Sequence, residues 1–293
     1  MTVSASQRAA TSRLFSSAVL KELARSGRSP LFARLMKEAA LPLPKKARVR
    51  DVFDTAFAFL TKSEFRNEYV YRAALTKRVL LGTHSLQTAS MLSEFRVGPC
   101  RADVAVLNGT STVYEIKSER DSLSKLERQV SAYREVFATI YVIAGENHIQ
   151  AVLKAMPKDI GVMKLSARYQ ISCLREATNA PGRTKPLSIL DALRTTEAIA
   201  LLKARGLHVP SVPNTKLRAA LREEFAKLEP LAAHDEMVRT LKDSRSLLPL
   251  ADLIDELPES LCAAALTVPL RRADHSRLVQ SVHTPVSAAA SWA

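Results

Sequence analysis

Ile140, Tyr141, Val142, Ile143 and Ala144 form an unbroken apolar run that stops at Gly145. A strand with one wet face alternates apolar and polar residues. A run with no clearly polar position needs cover on both faces, as in the centre of a sheet flanked by helices. The surrounding text agrees. Residues 89–97, 101–107 and 111–117 are short β-rich runs, connected by Gly98-Pro99 and by Asn108-Gly109. Asn-Gly between alternating segments is a strong hairpin signal. Residues 122–137 and 147–156 read as helices, and 160–165 and 169–175 as further strands. The order is helix, three strands, helix, strand, helix, strand, strand, which is an α/β arrangement.

Outside this block the periodicity is helical. Residues 5–26, 31–40 and 48–62 read as amphipathic helices, separated by Gly27-Arg28-Ser29-Pro30 and Pro42-Leu43-Pro44. Another helix is expected over 65–81. Nine of the 14 prolines but only Gly182 and Gly206 of the eight glycines lie beyond residue 180. There 188–205, 214–229, 233–243 and 247–256 have helical spacing. From about residue 274 the tail, with its Ser and Ala and the lone Trp292, reads as frayed. No repeat of fixed period supports a solenoid. Three segments result: a helical arm over 1–62, an α/β domain over 63–178 and a helical region over 179–293.

The chain carries 43 Lys and Arg against 29 Asp and Glu, a formal charge of +14. Residues 1–50 hold eleven basic and two acidic residues, whereas 101–150 hold six and seven. The excess therefore sits in the N-terminal arm, and it favours a polyanion such as nucleic acid or an acidic membrane surface. No stretch reaches the roughly 20 apolar residues of a membrane helix. Cys100, Cys173 and Cys262 are scattered, match no zinc spacing and suit a reducing cytoplasm. The Ser/Arg-rich, acid-poor start superficially resembles a transit peptide; a basic arm is the preferred reading.

The chemistry is concentrated in Arg101, Ala102 and Asp103 and in Tyr114, Glu115, Ile116 and Lys117. Strand alternation puts Glu115 and Lys117 on one face. The hairpin brings Asp103 beside them. Two close carboxylates repel unless a cation lies between them, and hard oxygen ligands favour Mg²⁺ or Mn²⁺. Such a metal polarises a phosphoryl oxygen and lowers the pKa of water, while a nearby lysine stabilises developing negative charge. The set suits phosphodiester hydrolysis. A solvated hairpin face is the bland alternative for Glu-x-Lys alone.

This pattern resembles the PD-(D/E)XK nuclease superfamily. Gln129 and Tyr133, one turn apart on the following helix, match the Gln-xxx-Tyr motif of its RecB-like and phage-exonuclease branches. Glu68 matches the acid on the helix before the first strand. The resemblance is closest to a bacterial and phage group with a helical tail, and it covers about residues 62–178. It implies a restriction-endonuclease-like core, a central mixed sheet flanked by helices, with helical extensions at both ends. By the resemblance Asp103, Glu115, Glu68 and the Ile116 carbonyl hold Mg²⁺ or Mn²⁺. Lys117 positions the nucleophilic water, and Gln129 and Tyr133 orient the substrate or the lysine. Ala102 stands where the motif often has proline. Glu94 competes with Glu68 for the upstream acid, and Arg101, Arg120 and Arg128 are candidate phosphate ligands. The expected function is a metal-dependent nuclease acting on DNA in defence, restriction or repair, with pairing as a homodimer one way to cut both strands. Two other readings stand beside it: a nuclease-like module that binds nucleic acid or a partner without cutting, and a regulator using its helical arms.

Overall fold

The computed structural model describes residues 4–292. Residues 1–3, the start of the expected arm, and residue 293, the end of the expected tail, lie outside them. The chain opens with α1 (Ala5–Arg13), α2 (Ser17–Ser26), α3 (Pro30–Ala39), α4 (Val49–Leu60) and α5 (Glu68–Leu75). Local chemistry sets their ends. Ser29 accepts the Phe32 N–H ahead of Pro30, and Gly27 closes α2 with a φ of 72°. The helix expected over 65–81 starts at Glu68, because Asn67 accepts the Val70 N–H as its N-cap, and it runs on into a π-helical turn, Thr76–Leu80.

Next come β1 (Ser90–Val97), β2 (Cys100–Leu107), β3 (Ser111–Lys117), α6 (Leu126–Arg134), β4 (Thr139–Ala144), α7 (Ile149–Ala155), β5 (Gly161–Leu165) and β6 (Ile171–Arg175). The chain then continues through α8 (Pro186–Ala192), α9 (Thr195–Ala204), α10 (Asn214–Phe225) and α11 (Pro230–Ser244). It ends with α12 (Ala251–Glu256), α13 (Glu259–Thr267), α14 (His275–His283) and α15 (Val286–Ala289). The helix expected over 188–205 is two. Glu197 accepts the Arg194 N–H and caps α9 separately. No helix among the described residues is long and apolar enough to cross a membrane.

These elements form two compact units. Among the described residues, one runs up to Val79 and takes in Ala167–Tyr169 and the residues from Leu247 to Trp292; the other comprises Leu80–Ser166 and Gln170–Ser246. This division cuts across the expected segments at 62 and 178. In the helical unit Val19, Leu23, Phe32, Leu35, Phe53 and Leu60 are fully buried, so the expected helical arm is packed into a core. The frayed tail is corrected in the same way. Leu278, Val282 and Ala289 are fully buried. The Val49 N–H donates to the Thr284 carbonyl and the Val286 N–H to the Ala47 carbonyl, both at 2.9 Å. A Ser/Ala-rich composition hid an amphipathic stripe that needed α2 and α4 for its cover.

In the other unit all six strands form one mixed sheet in sequence order, β1 to β6. β3, β4 and β5 run parallel, and the outer pairs are antiparallel. The apolar β4 lies inside, as its composition requires. Asn108 and Gly109 make the expected hairpin, Gly109 taking a φ of 67°. Helices beyond the expected boundary at 178 complete this core: Leu190, Leu202, Phe225 and Met237 pack in one cluster with Phe95, Leu107, Val113, Ile140 and Val142. The fold is therefore mixed α/β, a six-stranded mixed sheet flanked by helices.

Candidate active site

Glu115 and Lys117 lie on β3, the last residue of which is Lys117. They share a face, and the Lys117 ammonium donates to Glu115 Oε1 at 2.7 Å. Both side chains are out of water, Glu115 at 1% and Lys117 at 9% exposure. α6 packs over this face and supplies the Gln-xxx-Tyr pair. Gln129 Oε1 accepts from Lys117 Nζ at 3.0 Å, while Gln129 Nε2 donates to Glu115 Oε1 at 2.5 Å. The Tyr133 hydroxyl lies 2.7 Å from Glu115 Oε2 and 2.6 Å from the Arg101 carbonyl oxygen. Four residues expected from sequence thus form one closed network, buried except at the half-buried Gln129.

Burial pushes the Glu115 carboxyl above its ordinary range, against the Lys117 charge and the bonds from Lys117, Tyr133 and Gln129. Burial and then the Glu115 charge push the Tyr133 phenol up as well. One phenol hydrogen faces two acceptors here. It is shared between the Glu115 carboxylate and the Arg101 carbonyl.

Asp103 stands where β2 leaves β3. The ladder between the strands ends at Val104 opposite Tyr114, and beyond it Asp103 Oδ2 accepts the Ile116 N–H at 2.7 Å. The side chain thus replaces a backbone partner. Ile116 enters this arrangement through its N–H.

Glu94 is the competing candidate for the upstream acid on sequence grounds. On the β1–β2 ladder it falls between the pairs Ser93–Val104 and Phe95–Ala102, opposite Asp103. A carboxylate oxygen of Glu94 and one of Asp103 lie within 4.8 Å of each other. Glu94 has a φ of 53°, costly for a residue with a Cβ. The alternation slips here on both strands: Leu92 joins the same core as Phe95 and Val97, and Ala105 the same core as Ala102 and Cys100. Strict alternation does not anticipate this, and no local residue signals it. Glu68 belongs to the helical unit, at the first turn of α5, where it pairs with Arg72. Arg101, Arg120 and Arg128 are exposed.

Hard oxygen donors fit a divalent cation at the level of Asp103, whose Oδ2 holds a backbone amide while Glu94 lies opposite. Glu115 offers oxygens that already accept from three side chains, so metal binding there competes with Lys117, Gln129 and Tyr133.

Residues 61–245 match the family described as Bacteriophage P4 protein cII, covering both the sheet and the helices packed on it. The chain belongs to this family. Protein cII of Enterobacteria phage P4 is 30% identical over 93 residues, 29% of this chain and 35% of that protein, so the chain spans about a third of the length of this cII relative. A solved protein of unknown function from Silicibacter pomeroyi aligns at 21% identity over 41% of this chain and 81% of that one, with a TM-score of 0.27.

Proposed function

We propose that the sheet unit of this cII-family protein is a metal-dependent nuclease of PD-(D/E)XK type that hydrolyses phosphodiester bonds in DNA. The observation that carries the reading is the closed contact of Lys117 with Glu115 and Gln129, with Tyr133 behind it and Asp103 at the parting of the paired strand. A surface hairpin needs no buried lysine, and a structural core needs no buried carboxylate beside it.

Asp103, Glu115 and the Ile116 carbonyl, with Glu94 opposite Asp103, would hold Mg²⁺ or Mn²⁺. Bound there, the cation supplies Lewis-acid polarisation and a more acidic water. The chain's own part is positioning. Gln129 and Glu115, bonded to each other, both accept from the ammonium and so hold Lys117 Nζ in place at the last residue of β3. A charged donor at that point stabilises a phosphate whose negative charge grows as water attacks phosphorus and the opposite ester oxygen leaves. Tyr133 fixes the carboxylate, and exposed Arg101, Arg120 and Arg128 are suited to neighbouring phosphates.

The test is cleavage of plasmid, linear and single-stranded DNA by the full chain, with Mn²⁺ or with chelator. Asp103→Asn, Glu115→Gln and Lys117→Gln are assayed beside the wild type, with far-UV circular dichroism to check folding. Metal-dependent cleavage lost in all three folded variants is the expected result, and cleavage that persists in all three refutes the assignment. Absence of wild-type cleavage, with binding indifferent to chelator and to Lys117→Gln, selects the non-cleaving module. That reading has its own support, since the Lys117 charge is already matched by Glu115. Sizing the wild type with and without DNA tests homodimer formation.

A further inference from the structure

The helical unit contains a groove of about 870 Å³ that no part of the nuclease reading uses. Its volume is in the range of small-molecule sites, roughly 300–1,000 Å³. The wall is formed by α3, the loop after it, Glu22 of α2 and the C-terminal residues Val286 and Ala290, and it is mainly apolar, with Leu31, Met36, Leu41 and Leu43 among its residues. Two cations, Arg34 and Lys37, line the same groove one turn apart on α3. Their side chains are exposed and have no ion-pair partner among the described residues. The wall also carries one carboxylate, Glu22, whose Oε2 accepts from Ser29 Oγ at 2.5 Å and from the Leu31 N–H at 3.4 Å at the start of α3, so two cations face one anion there.

An apolar floor beside two cations that outnumber the one acid asks for a ligand with both properties. A phosphate diester would meet the cations and leave the floor wet. A neutral hydrocarbon would cover the floor and leave the charges unused. We propose that the groove binds a single-chain amphipathic anion, a free medium-chain fatty carboxylate, with its chain along Leu31, Met36 and Leu43 and its head between Arg34 and Lys37. The site is independent of the nuclease reading, since none of its residues belongs to the sheet unit.

The chain has a built-in reporter. Trp292, its one tryptophan, follows two residues after the groove residue Ala290 and packs on Phe32 with ring centroids 6.1 Å apart. Phe32 lies between the groove residues Leu31 and Ala33. Decanoate titrated into the full chain is expected to change Trp292 emission saturably below its micelle concentration. Octanoate should bind roughly fifteenfold more weakly, as each buried CH₂ contributes about fourfold. Decanol should bind at least about tenfold more weakly than decanoate, for want of a charge. The Arg34→Gln/Lys37→Gln variant, changed only at exposed positions, should lose that preference for the anion. Absence of saturation with decanoate overturns the proposal, as does equal affinity for decanoate and decanol or for octanoate and decanoate. All three refutations are read on the wild-type protein, so none depends on a variant folding.

Discussion

Replacing Lys117 by Met removes one charge from a pair that is almost entirely out of water. The ammonium lies 2.7 Å from Glu115 Oε1, with side-chain exposures of 9% and 1%. Breaking a buried pair from one side costs about 3–5 kcal/mol, because the remaining charge is left without its counter-ion. Gln129 Nε2 and the Tyr133 hydroxyl still serve Glu115, which puts the expected cost near the lower end, about 3 kcal/mol. The pH dependence follows from Glu115. Its carboxyl is already raised by burial, and Lys117 is the largest influence holding it down. Without the lysine its folded pKa rises further above the unfolded value. A group raised in this way contributes stability below the unfolded pKa and loses it as pH rises through the folded one. The penalty of Lys117→Met is therefore larger near about pH 8 than near about pH 5, changing by up to about 1.4 kcal/mol per pH unit inside that window. Glu115→Gln with Lys117→Met removes both charges and should recover about 2 kcal/mol or more of the summed single costs. The assay is urea unfolding followed by far-UV circular dichroism, with amide hydrogen exchange in β3 and β4 to report on the sheet unit by itself. A Lys117→Met cost below about 1 kcal/mol at about pH 8, or one identical at the two pH values, would refute the buried-pair argument.

Two further perturbations test other parts of the fold. His234 is buried, with Nε2 2.9 Å from Ser111 Oγ and Nδ1 3.0 Å from Asp235 Oδ1, and burial lowers its pKa despite Asp235. Stability tied to neutral His234 is complete above the unfolded value of about 6.5 and falls as pH drops below it toward the folded pKa; His234→Gln should flatten that acid slope in unfolding measured between about pH 7.5 and about pH 5.5. Leu278 is fully buried on α14, next to the turn at which Ser281 Oγ donates to the Leu23 carbonyl. Leu278→Ala should destabilise the helical unit by about 2–5 kcal/mol, read from the denaturation midpoint of Trp292 emission, and a loss under about 0.5 kcal/mol would restore the frayed tail.

Much of the candidate site was legible because it depends on short-range regularities. Glu115 and Lys117 are two residues apart on a strand, Gln129 and Tyr133 four apart on a helix, and Asn108-Gly109 folds Asp103 back toward them. Each relation is a fixed period of the backbone, so it holds before any tertiary contact forms. The central place of β4 was equally readable from five consecutive residues.

The tertiary structure alone decided what depends on distant partners. The φ of Glu94 and the slip in alternation at Glu94 and Asp103 arise where two strands must bury Leu92 and Phe95, Ala102 and Ala105, in one core. The Ser111–His234 contact spans 123 positions and follows no local pattern. The N-terminal helices and the tail belong to one unit because the stripes of α2, α4 and α14 are each too narrow to be buried alone, and burial is satisfied by whichever surface is complementary, however far along the chain it lies. Periodicity is a property of a segment and can be read from it; which apolar faces meet is a property of the whole chain.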